Sequence, residues 1–246
     1  MRAGNVIRAL VLLALIAFLL TPQSFAFLFA PLTRNGQPAI YTQNSLLSLA
    51  LNHLLIVAIA TAAATVVAVG LAIFVTRPAG AEFLPLSRML ANTGQTFPPV
   101  AVLALAVPVL GFGTEPTLVA LFLYGLLPIF ENALTGLTTI APDIEESARG
   151  AGMTERQRLM QIELPLALPL ILAGIRLSVA ISIGTATIGS TVAASTLGEA
   201  IIAGLINSNL AFVAQGALVV GVLAILSYDA LRALERRFTP GGAQGP

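Results

Sequence analysis

Few residues in this chain can do chemistry, and their types say first what that chemistry is not. Cysteine is absent and His53 is the only histidine, so there is no thiol nucleophile, no disulfide and no Cys/His cluster for a metal. No nucleophile is spaced with a base, no acids pair in one motif, and no Gly-rich phosphate loop occurs; a membrane enzyme is therefore disfavoured and no cofactor is expected. Two kinds of candidate remain. One is a charged stretch from Asp143 to Glu163, which includes Glu145, Glu146, Arg149, Arg156 and Arg158. The other is a set of isolated polar groups within apolar sequence: Tyr124, Glu131, Thr185 and Thr187. An acid at membrane depth is a functional candidate by default, so Glu131 is read as a candidate pore anion, with pairing to an arginine near the interface as the alternative. Thr185 and Thr187 either line the same path or bond to nearby backbone. Arg176 reads as a structural partner, and His53 as a packing or capping residue.

These groups are carried by a chain that is 57% hydrophobic and only 9% charged, against about 25% charged in soluble domains. A membrane-crossing helix needs roughly 20 apolar residues, and six such runs lie near 8–30, 45–76, 94–112, 116–140, 166–194 and 209–234. The stretch 197–206 is too short to span and reads as a re-entrant or interfacial helix. All twelve basic residues are arginine. With six spans and both termini inside, ten of them face the cytoplasm, Arg34 lies outside and Arg176 lies in the fifth span, as the positive-inside rule requires. A second reading of the first span is a signal peptide cut near Ser24-Phe25-Ala26. Ala60, Ala64 and Ala68, and likewise Ala180 and Gly184, recur every four residues, a spacing that lets helices approach closely in lipid. The net charge of +1 gives no reason to expect a nucleic-acid partner. The fold class is all-α and polytopic. Residues 1–43 form a first helix and outer loop, 44–240 a transmembrane domain with a cytoplasmic loop at 141–165, and 241–246 a frayed tail.

Within that loop the sequence runs Glu146-Ser147-Ala148, three residues, Gly152, nine residues, then Ile162-Glu163-Leu164-Pro165. It resembles the Glu-Ala-Ala, Gly, Ile-x-Leu-Pro signature of ABC importer permeases, with Ser147 in place of the first alanine. Asp143 is placed to cap a short helix whose early acids suit its dipole, and Gly152 to end it in a left-handed or sharply turned backbone. Gln95-Thr96-Phe97-Pro98-Pro99, Leu126-Leu127-Pro128, Ala173-Gly174-Ile175-Arg176 and Gly184-Thr185-Ala186-Thr187 are similar to the osmoprotectant branch of that family. Thr76 to Phe83 and Ala194 to Gly198 resemble its Yeh-type glycine betaine permeases. One departure is Ala193 to Gly198, where many members carry Gly-Ala-Gly-Gly-Leu-Gly.

The resemblance implies a type I ABC importer fold, MetI-like, in a bacterial inner membrane. It implies a coupling helix that carries Glu146, Ser147, Ala148 and Gly152 and leads to Ile162, Leu164 and Pro165. The implied partners are two copies of an ATP-binding subunit, a second permease (a copy of this chain or a related one), an extracytoplasmic solute-binding protein, and membrane lipid. Glycine betaine, choline or carnitine is the implied solute; another small solute such as an amino acid is the alternative, and an ion-coupled secondary transporter a more distant one. Quaternary ammonium groups are recognised by aromatic cages, and a chain with no Trp and three Tyr is poorly equipped to build one. Selectivity is therefore expected in the binding protein. The topology predicts that single cysteines at Gln37 and Gln157 react with an impermeant thiol reagent from opposite sides of the membrane. Labelling of both from one side would overturn the six-span arrangement.

Overall fold

A computed structural model of the chain describes residues 2–34 and 36–238; the expected tail at 241–246 lies outside the described residues. No strand occurs among them. Four stretches are long and apolar enough to cross a membrane: Leu46–Val75, Thr114–Thr138, Glu155–Val192 and Leu210–Phe238. The count reaches six only if two bent helix pairs are each taken as one span. The expected first and third spans are those bent pairs. In the first, helix α1 (Arg2–Leu20) stops before Pro22, and the chain turns through 112° into short turns that include α2 (Ala26–Phe29). Helix α3 (Leu46–Val75) is straight apolar sequence. The third expected span divides into α4 (Leu84–Thr96) and α5 (Pro99–Leu110). Proline forces its predecessor out of helical geometry and offers no N–H, so Phe97 is extended (φ −91°, ψ 138°) before Pro98-Pro99. At 12 residues, α5 is roughly 18 Å long, too short to span alone.

Beyond it lie α6 (Thr114–Thr138), α7 (Pro142–Gly150), α8 (Glu155–Arg158), α9 (Leu164–Thr185), α10 (Gly198–Ile206) and α11 (Leu210–Phe238). The short helix expected at 197–206 is thus present as α10. The expected loop through 165 is not: the chain is helical from Glu155 onward, with a wide π turn at Leu159–Glu163 and 3-10 turns at Ala186–Val192.

The chain divides into two compact units. The first comprises 1–60, 98–121 and 180–227. Its core joins Leu15, Phe18 and Leu19 of α1 to Tyr41, Leu49, Phe212 and Val219, so cleavage near Ala26 would remove three of its side chains. Several of its polar groups are buried and bonded. His53 Nε2 donates to Ile183 O (2.9 Å), and Gln215 Nε2 to Ala39 O (2.8 Å) while its Oε1 accepts from Tyr41 N. Burial pushes the Tyr41 hydroxyl above its ordinary range, and the nearby Glu199 carboxylate adds to this. Asn44 holds Glu199 at 2.6 Å.

The second unit comprises 61–97, 122–179 and 228–246, and its core is built on small residues. Ala64, Ala68 and Ala72 of α3 are fully buried, among Ile129, Phe130, Ala133 and Ala167. Val66, Val67 and Phe74 of the same stretch stand exposed. A buried line of alanines with larger side chains beside it facing outward is an arrangement that lets backbones pack by dispersion in lipid. The four-residue alanine spacing thus marks a packing face. Gly184 does not, since nothing approaches the position of a Cβ there.

Two backbone positions in the first unit set opposite demands. Ala193 is left-handed (φ 64°), a conformation that costs an L-residue about 1–2 kcal/mol. It stands where the related run has glycine. Gly198 is packed so that a Cβ would lie 1.9 Å from Thr187 O. Ala193→Gly should therefore raise thermal stability in detergent, by up to about 1 kcal/mol, whereas Gly198→Ala should lower it by about 1–3 kcal/mol. The reverse order in a melting experiment would disprove this account of the turn.

Candidate functional site

The signature residues divide between a short helix and the entry of a long one. Pro142 occupies the first helical position of α7, which suits a residue without N–H, and Asp143 and Glu145 stand in its first turn. Asp143 therefore does not cap the helix as expected: the N-cap is Ala141, with no side-chain bond. The acids still complement the positive end of the helix dipole, and Arg149 the negative end. At the other end, Gly152 N donates to Arg149 O (2.9 Å) and Met153 N to Ala148 O (3.1 Å), with Gly152 at φ 75°. This is a Schellman turn, which satisfies carbonyls the helix would otherwise strand. Of the nine helix residues, only Ala148 is buried. Glu146 is exposed, as is Ser147, whose hydroxyl donates to Asp143 O. The helix thus presents most of its surface outward, held by one small inward contact.

Immediately afterwards Thr154 and Gln157 form a reciprocal capping box that starts α8. The π turn follows, in which Leu164 N donates to Leu159 O, five residues back. It ends just before Pro165, which has no N–H to give. Ile162 and Leu164 are half-buried there and Pro165 is exposed.

Glu163, the unspecified position of the signature, is 7% exposed. Both of its oxygens are held by Arg77, which follows α3: Nη1 donates to Oε1 at 3.2 Å and Nη2 to Oε2. The hydrogen bond to Glu163 raises the Arg77 pKa above its ordinary value against the opposing effect of burial, with the charges of Glu155 and Glu145 adding to it. These groups, with Arg149 and Arg158, line a polar cavity of about 390 Å³ beside α7. Sequence reasoning passed over this pair. Its only trace was an acid in the apolar entry of a span and an arginine closing another, 86 positions apart.

The intramembrane candidates do not form one cluster. Tyr124 and Glu131 share a face of α6 in the second unit, while Thr185 and Thr187 belong to the first. Thr187 is bonded to backbone, through Gly184 O at 2.7 Å. Glu131 is paired: Arg88 Nε donates to Oε1 at 2.6 Å and Nη2 to Oε2 at 3.1 Å. Tyr124 donates its hydroxyl to Phe97 O. Arg176 takes the structural place expected of it, 2.7 Å from Glu235 and stacked 4.8 Å over the Tyr228 ring. No group of three or more His, Cys, Asp or Glu able to hold a metal occurs among the described residues.

Known proteins match this arrangement along most of the chain. The family described as "Binding-protein-dependent transport system inner membrane component" matches residues 68–240. The osmoprotectant import permease protein OsmY of Salmonella typhimurium is 39% identical over 198 residues, 80% of this chain and 84% of that one. The glycine betaine/carnitine/choline transport system permease protein OpuCB of Bacillus subtilis is 39% identical over 193 residues, 78% of this chain and 88% of that one. Among solved structures, an inward-facing MetNI methionine ABC transporter superposes with a TM-score of 0.70 at 20% identity, covering 79% of this chain and 96% of that one. At that identity the likeness speaks for the fold.

The Arg77–Glu163 pair can be weighed by removal. Its carboxylate is nearly buried and its guanidinium about one-fifth exposed, so leaving either partner alone should cost about 2–3 kcal/mol, below the full penalty for a wholly buried pair. Arg77→Gln combined with Glu163→Gln should cost less than the sum of the two single changes. Additive losses in a thermal-unfolding cycle would show that the two groups act independently.

Proposed function

The chain belongs to the family of binding-protein-dependent transport system inner membrane components, the permease subunits of ABC importers; from that membership we propose that it carries quaternary ammonium osmoprotectants, such as glycine betaine, choline or carnitine, across the inner membrane. The observation that carries the solute class is the 39% identity, over about four-fifths of the chain, to permeases named for osmoprotectant, glycine betaine, carnitine and choline transport. The transport subunit performs no chemistry. ATP is hydrolysed in two copies of a partner subunit, a second permease completes the path, and an extracytoplasmic binding protein delivers the solute. Both termini lie in the cytoplasm, which sets the arginine-rich loops beside the ATP-binding subunits.

The mechanism is alternating access. Helix α7, with Glu146, Ser147 and Ala148, seats in a groove of the ATP-binding subunit, and Gly152 closes the helix so that it moves as one piece. Ile162, Leu164 and Pro165 begin the helical rod that takes the displacement into the membrane. ATP favours the state in which the two α7 helices are drawn together, and so shifts the permease between inward- and outward-open forms. Of the intramembrane candidates, Glu131 on α6 faces the path. With few aromatics to grip a quaternary ammonium group, the path passes what the binding protein releases.

Reconstituted with its partners in liposomes, the permease should import glycine betaine only with ATP inside and binding protein outside, and the ranking of solutes should follow the binding protein's affinities. Uptake of an amino acid with no response to quaternary ammonium compounds would overturn the solute assignment. In the same assay Gly152→Val should abolish uptake and solute-stimulated ATPase together, whereas Gly152→Asn, which tolerates left-handed geometry, should retain much of both. The site has open space for either side chain, so equal activity of the two variants would refute the role given to this turn.

A further inference from the structure

Charge at membrane depth is costly, and charged residues there face water or a partner rather than lipid. The Arg88–Glu131 pair stands towards one end of two candidate spans. Glu131 lies within the apolar helix Thr114–Thr138, and Arg88 within the bent pair that passes as a span. Yet the side chains are 52% and 36% exposed. A pair that served only to fasten two helices would gain by being buried from competing water; this one leaves about half of the arginine side chain and a third of the glutamate open.

The pair also has a defined setting. Seven residues further along α4, Gln95 Nε2 donates to Tyr124 O at 2.8 Å, and Tyr124 lies seven residues before Glu131 on α6. The two antiparallel helices therefore meet at two rungs a heptad apart, along faces that stay aligned over that distance. Beside the Gln95–Tyr124 rung Gly94 brings the backbones together: a Cβ there would lie 2.1 Å from Leu123 O. The rungs are thus fixed by backbone contact, and the guanidinium and carboxylate are presented at a fixed separation on an open face.

We propose that Arg88 and Glu131 form a zwitterion-complementary subsite on the translocation path. In its empty state each charge neutralises the other. An entering betaine-type solute exchanges partners, its carboxylate taking Arg88 and its quaternary ammonium approaching Glu131. A solute with a cationic head and no carboxylate can use Glu131 alone and leaves Arg88 unmatched. The subsite thus favours compact zwitterions over cations of similar size, modestly, because partly exposed charge pairs contribute little each. This inference rests on the osmoprotectant reading above and adds to it a pairing partner and a direction of preference.

The test uses the full permease reconstituted with its ATP-binding and solute-binding partners, and measures choline and glycine betaine uptake by the same vesicles. The readout is the ratio of the two rates, which does not depend on how much folded protein each variant yields. Glu131→Gln leaves a lone cation and should lower the choline-to-betaine ratio by about three- to fivefold. Arg88→Gln leaves a lone anion and should raise it by a similar factor. The exchange Arg88→Glu with Glu131→Arg restores both charges and should return the ratio toward that of the unaltered chain. If both single variants slow the two solutes equally, the pair is only a fastening and the inference fails while the osmoprotectant reading stands. If the unaltered system imports neither solute, the reading itself fails and the inference with it.

Discussion

The feature on which the α7 end of the second unit depends is the double hydrogen bond between Arg77 and Glu163. One partner follows α3 and the other sits in the π turn where α9 begins, so the pair ties the exit of one long helix to the entry of another. Around it the remaining charges compensate one another: Glu145 lies near Arg149, and Glu155 and Arg158 share the same cavity. Helix α7 borders the same cavity through Glu145 and Arg149, so what lies between it and the entry of α9 is largely charge rather than a bulky apolar core.

Elsewhere stability comes from closeness. The core of the second unit is lined by alanines of α3 against α6 and α9, and a glycine is obligatory where α4 meets α6. In lipid there is no hydrophobic gain from bringing helices together, so association rests on dispersion and on a few polar bonds. Many threonines return their hydroxyls to the preceding turn, as Thr135 does to Glu131 O and Thr138 to Leu134 O. They remain compatible with the membrane while leaving a polar fringe on the helix surface.

Much of this was legible in the sequence, for reasons of physical scale. Apolar runs of helical length, the alanine spacing of α3 and the Gly152 turn are local signals, and each reappears in the structure close to its expected place. The misses have a common cause. The division of the third expected span at Phe97-Pro98-Pro99 was written in its prolines, but a hydropathy reading averages over them. The helix that begins at Glu155 was hidden because charged residues inside a helix look like those of a loop. The Arg77–Glu163 and Arg88–Glu131 pairs join residues 86 and 43 positions apart, and no periodicity reports on such separations.

The shortness of α5 bears on how the chain enters a membrane. Helices α3, α6 and α11 are apolar over lengths that cross hydrocarbon unaided, so each can leave the insertion machinery as an independent unit. The 12 residues of α5 cannot reach across, and α4 before it carries Arg88, Asn92 and Gln95. The polar groups of α4 find partners only once α6 has emerged to supply Glu131 and the carbonyl of Tyr124. Insertion of the middle of this protein is therefore out of step with its synthesis: the third segment waits for the fourth.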